Sequence, residues 1–504
     1  MKKIFFNITI PSAYLVIAVI IGILARLWAP DIQSFWSDEL FSWVYSSKNG
    51  RELLCWLAVD SHPPLYILFL HFWAKLFGNS ETALRFPSEA AGILSIFATY
   101  FLSKKFLNNS ASVSSTILVS LSAAAIYYSQ EARSYSLLLL CITVLTLLWL
   151  ELVKQIQNQD QNRKILVLYG LSAIITAHVH YLGTIYLLFQ LIYLLFCSIY
   201  YKKNLLNLVE LGFMIFIACL PWYFFHALFL FKNVKNEYDW IPGFSMGFML
   251  ELVRFFFSSP LLFAALLFPI VAHALKNKAV TVIKPDSQLI GLLYITFMPL
   301  ISIFVISIFK HILVLRYFII FLPPVYLLIA LIFDKIQWFK RFSANKYIFI
   351  IALSGFIAFI FPNPLQNDFK TYYNLPNKQQ WREATKYISE NLTPETLVLV
   401  DKPLPIYDYY FNRYLKGNKP EIKRILTYKD FKGISLNKYD KIFVMNFAPQ
   451  LKNVELELQK HSLENKEEHF YDLFFFVYEI KRPPGNFKIC KTEDIAKVKN
   501  GIKL

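Results

Sequence analysis

Charged residues are scarce in this sequence. Asp, Glu, Lys and Arg make up 17% of its 504 residues, where soluble domains carry about 25%. With 56% hydrophobic residues and a mean hydropathy of +0.44, the chain is too oily for a soluble globular protein. Glycine is rare too, at 15 residues, which speaks against the interrupted helices and paired halves of a transporter or flippase for lipid-linked sugars. The five cysteines, Cys55, Cys141, Cys197, Cys219 and Cys490, show no CxxC or CxxxH spacing and read as small packing residues. A Cys55–Cys490 disulfide is not expected. Basic residues outnumber acidic ones, for a net charge of +17. They form no stripe interleaved with aromatics, so nucleic acid is not an expected partner.

Apolar runs are what the sequence has in abundance. A helix needs about 20 such residues to cross the hydrocarbon core. That length predicts eleven spans, near 8–28, 83–102, 112–128, 134–153, 165–180, 181–200, 205–229, 250–275, 287–309, 317–334 and 347–361. The first run exceeds the roughly 7–15 residues of a signal-peptide core and is expected to be a retained helix. Positive charge sorts by side. With the N-terminus inside, every inner turn is basic: Lys2 and Lys3; Lys104 and Lys105; Lys154, Arg163 and Lys164; Lys202 and Lys203; Lys276, Lys278 and Lys284; Lys335, Lys340, Arg341 and Lys346. The expected fold class is an α-helical polytopic membrane protein whose C-terminal tail lies outside the cytoplasmic membrane.

The tail, about 363–504, departs sharply in composition. A helix-like WREATKYISENL is followed by strand-like runs at 396–400, 441–447 and 474–480. This predicts a small extracytoplasmic α/β or α+β domain. It carries no GxGxxG, P-loop, zinc spacing or internal repeat. The expected division is a membrane domain over 1–362, its first outer loop at about 29–82, and a domain over 363–504.

Polar residues cluster on the predicted outer side. FWSDELFSW places Asp38 and Glu39 about ten residues after the first span. Either can be a carboxylate able to take a proton from an acceptor, or part of a helix start. In HPPLY, two prolines disfavour helix before Leu65, leaving His62 as a helix-entry residue, a phosphate donor or a metal ligand. LYILFLHFWAKLF after it reads as an amphipathic interfacial helix. The short turn YYSQEARSY holds Gln130, Glu131, Arg133 and Tyr135 against the membrane surface, where a guanidinium suits phosphate. HVHYLG carries His178 and His180, which can share one face only in an extended segment, where they could form a metal pair. Arg85 lies in the LRFPS segment. Arg316 and Tyr317 open the span that continues to FLPP, with Lys310 and His311 nearby. A one-sided set of carboxylates and cations beside lipid suits chemistry on a lipid-borne phosphate.

WSDELFSW, HPPLY, LRFPS, YSQEARSY, HVHYLG and RYFIIFLPP occur in that order. Through them the chain resembles the bacterial family 39 glycosyltransferases. These are polytopic GT-C enzymes related to protein O-mannosyltransferases and the lipid A aminoarabinose transferase. The likeness covers roughly residues 1–400 and departs from the aminoarabinose transferases at HPP, where those carry a lysine before the prolines. The resemblance implies a polyprenyl-phosphate-linked monosaccharide donor and transfer at the outer face by inversion. Asp38 corresponds to the family's acidic residue in the first outer loop, its general base. It implies that the leaving phosphate is stabilised by cations, for which Arg133, His62, Arg85 and Arg316 are candidates. It leaves a divalent metal open, and the acceptor can be a lipid, a glycan or a protein.

Overall fold

The computed structural model describes residues 10–60, 62–158, 160, 162–233, 244–258, 263–264, 267–268, 271, 287–335, 343–360, 378–401, 404–415, 417, 419–425, 428–445, 452–467 and 475–480. The chain divides into two compact units, one of residues 1–33 and 41–377, the other of 34–40 and 378–504.

The first unit is helical. Its elements are α1 (Ile10–Leu27), α2 (Ser37–Ser46, begun in the other unit), α3 (Gly50–Val59), α4 (Leu65–Phe77), α5 (Glu81–Phe106), α6 (Asn109–Ser120), α7 (Ala123–Ser129) and α8 (Tyr135–Asn158). There follow α9 (Arg163–Val179), α10 (Tyr181–Tyr201), α11 (Leu205–Asn233), α12 (Met246–Phe257), α13 (Ser287–Phe309), a 3-10 segment (Leu315–Phe321), α14 (Leu322–Lys335) and α15 (Ala344–Ile360). Among the described residues, five helices are long and apolar enough to cross a membrane, six if the bent pair α6–α7 counts as one span. Shorter apolar helices include Ser12–Leu27, Leu65–Phe77 and Ala344–Ile357. The protein is thus a multi-pass membrane protein. Of the predicted span 250–275, Met246–Phe257 is described as helix and most of the rest lies outside the described residues, as do Lys276, Lys278, Lys284, Lys340 and Arg341.

Two local devices hold the helices that matter for the site. α5 begins earlier than its apolar run, because Ser80 accepts the Ala83 amide and starts the helix in a polar stretch. Pro87 then sits inside the helix and cannot donate to the Ala83 carbonyl. The Trp73 indole N–H supplies the missing bond at 2.8 Å, and its ring stacks on Phe86. The second device is the break between α6 and α7, which bend by 49°. The fully buried Arg26 donates to the carbonyls of Val119 and Ser120 at 3.2 and 2.9 Å, and to Gly22 of its own helix. Backbone groups freed at membrane depth need such partners. The helices approach closely here: a Cβ on Gly22 would stand 2.5 Å from the Ser120 carbonyl oxygen.

The second unit holds a five-stranded sheet. It contains α16 (Trp381–Glu390), β1 (Thr396–Val400), α17 (Leu404–Tyr414), β2 (Glu421–Arg424), α18 (Tyr428–Lys432), β3 (Lys441–Met445), α19 (Lys452–His461), β4 (Ser462–Glu467) and β5 (Phe475–Ile480). The strand order is β2-β1-β3-β5-β4. β1 runs parallel to β2 and β3, and the β5 and β4 pairings are antiparallel. β1 reads TLVLV without alternation because both its faces are buried. The segment 34–40 belongs to this unit: Phe35 N–H donates to the Tyr410 hydroxyl at 2.7 Å, and Ser37 N–H to the Gln379 side chain at 3.0 Å. Cys490 lies outside the described residues.

Candidate active site

The first unit gathers several of the predicted residues around Arg133. α7 ends at Ser129, and the turn before α8 carries Gln130 to Ser134. The Arg133 backbone is fixed by a short relay. The Tyr66 hydroxyl lies 3.0 Å from that of Ser88, which donates to the Arg133 carbonyl at 2.9 Å. The buried guanidinium meets the Ser42 hydroxyl at 3.2 Å and the His62 Nε2 at 3.3 Å. Tyr135 is a shared platform: the guanidinium carbons of Arg133 and Arg316 each lie 6.0 Å from its ring centre, the outer limit of cation–π attraction. His180 completes the group, with its ring centre 4.9 Å from His62, 5.8 Å from Tyr135 and 5.9 Å from Tyr317.

His62 is held by residues that sequence reasoning passed over. Its Nδ1 lies 3.2 Å from the buried Asp60 carboxylate, which can only accept, so the proton is on Nδ1. Asp60 is in turn anchored from α11: His226 Nε2 donates to the Asp60 carbonyl at 2.9 Å, which leaves His226 Nδ1 to accept from the Tyr181 hydroxyl at 2.5 Å. An ionisable residue inside an apolar run is a functional flag by itself, and His226 in the run 205–229 carried that signal. Asp60, two residues before His62, carried a weaker one. Ser42 gave none.

Other predicted residues are engaged in building the fold. The Arg85 guanidinium, fully buried, donates to the carbonyls of Pro30 and Gln33 and ties down the chain after α1. Gln130 directs its amide nitrogen to the carbonyls of Ala25, Arg26 and Trp28 at 3.1, 3.1 and 2.9 Å, closing the C-terminal end of α1. Glu131 is fully buried in the same turn, and its carbonyl accepts from Arg133 N–H at 2.7 Å. Lys310 and His311 are exposed.

The second unit separates the two acidic candidates. Glu39 is fully buried and paired with Lys378 at 3.6 Å. Asp38, in the first turn of α2, is half-buried.

The two histidines of HVHYLG are held by different partners. His178 Nδ1 donates to the Ile174 carbonyl at 2.8 Å, and its ring meets Tyr223 edge-on at a centroid distance of 6.4 Å. His180 caps α10, its Nδ1 accepting the Leu182 amide at 3.1 Å. With that lone pair used, the neutral ring carries its proton on Nε2 and offers no second lone pair to a metal. Among the described residues, no group of three or more His, Cys, Asp and Glu converges as a metal set.

The chain is similar to one family model and to several solved structures. Residues 61–225 match the family model described as dolichyl-phosphate-mannose-protein mannosyltransferase. The matched stretch includes His62, Arg133, Tyr135 and His180 but neither Asp38 nor Arg316. No curated relative matches the sequence. Among solved structures, ArnT from Cupriavidus metallidurans in the apo state aligns with a TM-score of 0.59 at 12% identity, over 93% of this chain and 98% of that one. The same protein bound to undecaprenyl phosphate gives 0.56 at 12% identity, over the same shares. The apo oligosaccharyltransferase of Archaeoglobus fulgidus gives 0.53 at 12% identity, over 88% of this chain and 70% of that one. The fold is the GT-C fold of these membrane glycosyltransferases.

Proposed function

We propose that this protein is an inverting glycosyltransferase that moves a monosaccharide from a polyprenyl-phosphate carrier to an acceptor at the outer face of the cytoplasmic membrane. The observation that carries the reading is the cluster of Arg133, His62, His180 and Arg316 around Tyr135 in the membrane unit. Guanidinium groups recognise phosphate through paired, charge-assisted hydrogen bonds. The descriptions of the matched family and of one ArnT structure both name a polyprenyl phosphate.

Asp38 is the general base. Its carboxylate removes the acceptor's proton as the acceptor oxygen or nitrogen attacks the anomeric carbon. The bond from that carbon to the phosphate oxygen breaks, its electron pair stays on oxygen, and polyprenyl phosphate departs as an anion. Positive charge develops on the sugar ring, as in other glycosyl transfers. The leaving anion needs cationic partners more than a proton, and Arg133 and Arg316 supply them; a well-placed donor of this kind is worth about 10²–10³ in rate. Glu39, buried on Lys378, is a structural tether.

The test is mass spectrometry of envelope lipids and glycans from a deletion strain. The strain is complemented with the wild-type chain, Asp38→Asn or Glu39→Gln at matched membrane levels. The expected result is a sugar-sized mass restored by wild type and lost with Asp38→Asn, general-base removal costing about 10²–10⁴ in rate. Glu39→Gln should restore the mass at matched levels while lowering the thermal midpoint of the purified protein, since it breaks the buried pair with Lys378. Full restoration by Asp38→Asn would remove Asp38 from the mechanism and favour a transport role.

A further inference from the structure

We propose that His180 acts as a neutral hydrogen-bond donor to a phosphate oxygen of the lipid carrier. This rests on the reading that the cluster binds polyprenyl phosphate. His180 is 4% exposed, and its Nε2 meets no hydrogen-bonding partner among the described residues. Nδ1 is committed to the Leu182 amide, so Nε2 must carry the hydrogen. A buried donor left unmade is costly to the fold, and a fold does not hold one rigidly without use.

The ring is held rigidly. His180 N–H donates to the Thr176 carbonyl at 3.3 Å, and the His180 carbonyl accepts from Gly183 N–H at 2.9 Å. At Gly183 the α9–α10 corner is so tight that a Cβ would stand 2.7 Å from the Thr176 carbonyl oxygen. The imidazole is thus clamped on its backbone side, with His62, Tyr135 and Tyr317 packed around its ring.

The surroundings select the ligand's chemistry. Two guanidinium groups share the Tyr135 ring, and one of them lies against His62. A third full positive charge beside them would be repelled, and protonating His180 would forfeit the Leu182 bond. A neutral N–H adds donor capacity without adding charge. That suits an oxyanion already drawn by Arg133 and Arg316, whose remaining oxygen lone pairs still need donors. A sugar hydroxyl would make no use of the paired arginines, and a metal has no lone pair to take.

The experiment measures binding of undecaprenyl phosphate, and of undecaprenol lacking the phosphate, to the purified full-length chain in nanodiscs. Wild type is compared with His180→Asn and His180→Gln. Asparagine is a strong helix N-cap, so His180→Asn keeps the Leu182 bond and the thermal midpoint while removing the distal donor. Glutamine places an amide N–H near the Nε2 position but loses the cap. His180→Asn should weaken undecaprenyl phosphate binding about 10–100-fold, the worth of a hydrogen bond to a charged group, and leave undecaprenol unaffected. His180→Gln should melt a few degrees lower and bind undecaprenyl phosphate within about threefold of wild type. Wild-type affinity in His180→Asn, or equal loss of both lipids, overturns the assignment. So does failure of His180→Gln to bind better than His180→Asn. A wild-type chain that does not distinguish the two lipids overturns the phosphate reading itself. Sugar transfer intact with His180→Asn binding normally overturns the role of His180 alone.

Discussion

Residue types that look interchangeable on paper have separate tasks here because their partners differ. Asp38 and Glu39 are adjacent, but one is half-buried and the other is sealed against Lys378. Arg85 and Arg133 both lie on the predicted outer side, yet Arg85 is committed to two backbone carbonyls while Arg133 faces His62 and Ser42. His62 stands where the resembling aminoarabinose transferases have lysine, and its orientation depends on Asp60 as a lysine's would not. Asp60→Asn should therefore lower kcat/KM for the lipid-linked donor about 10–100-fold, the range expected for a hydrogen bond to a charged group. Asp60→Asn combined with His62→Lys should recover most of the loss, since an ammonium needs no tautomer fixed. Steady-state kinetics with a polyprenyl-phosphate sugar checks both. An equal loss in the double variant would mean that Asp60 acts otherwise than through His62.

Helices in this protein are held by side chains repairing backbone defects. Pro87 interrupts the α5 ladder and Trp73 of α4 fills the vacancy, so two short motifs, HPPLY…HFW and LRFPS, are bound as one substructure that carries both His62 and the Ser88 contact to Arg133. Trp73→Phe should cost about 1–3 kcal/mol by leaving the Ala83 carbonyl unpaired, read as a lower thermal midpoint in detergent. The cost should shrink when Pro87→Ala is introduced first, because alanine restores the helical N–H. A double-mutant cycle measures that coupling; strictly additive effects would remove the indole–carbonyl bond from the account. Arg26 performs the same repair at the α6–α7 break. Interrupted helices are a transporter feature, but here the freed carbonyls meet a buried arginine.

Across the whole molecule, the basic turns and the odd number of predicted spans lead to the expectation of a tail outside the membrane. In a cysteine-free background, Ser389→Cys on α16 should react with a membrane-impermeant maleimide in intact cells, whereas Lys104→Cys at the end of α5 should react only after permeabilisation. The reverse pattern would invert the topology and move Asp38, Arg133 and His180 to the cytoplasmic side.

The sequence by itself determined the membrane class, most of the apolar helices and the strands at Thr396–Val400, Lys441–Met445 and Phe475–Ile480. These follow from local physics: run length against bilayer thickness and the composition of buried strands. It missed β2 and β4, whose EIKR and SLENKE lack such a pattern. It also named Arg133, His62, Tyr135 and His180, because polar groups in short turns between apolar runs stand out. Only the tertiary structure decided what each touches. Which arginine is spent on carbonyls, what Arg133 meets and what anchors Asp60 depend on atoms tens to hundreds of positions away: Arg85 on Pro30 and Gln33, Arg133 on Ser42, His226 on Asp60, Gln130 on the end of α1. Composition and spacing carry no record of such long-range hydrogen bonds, since a side chain's partner is set by the packing of helices whose sequences are uniformly apolar.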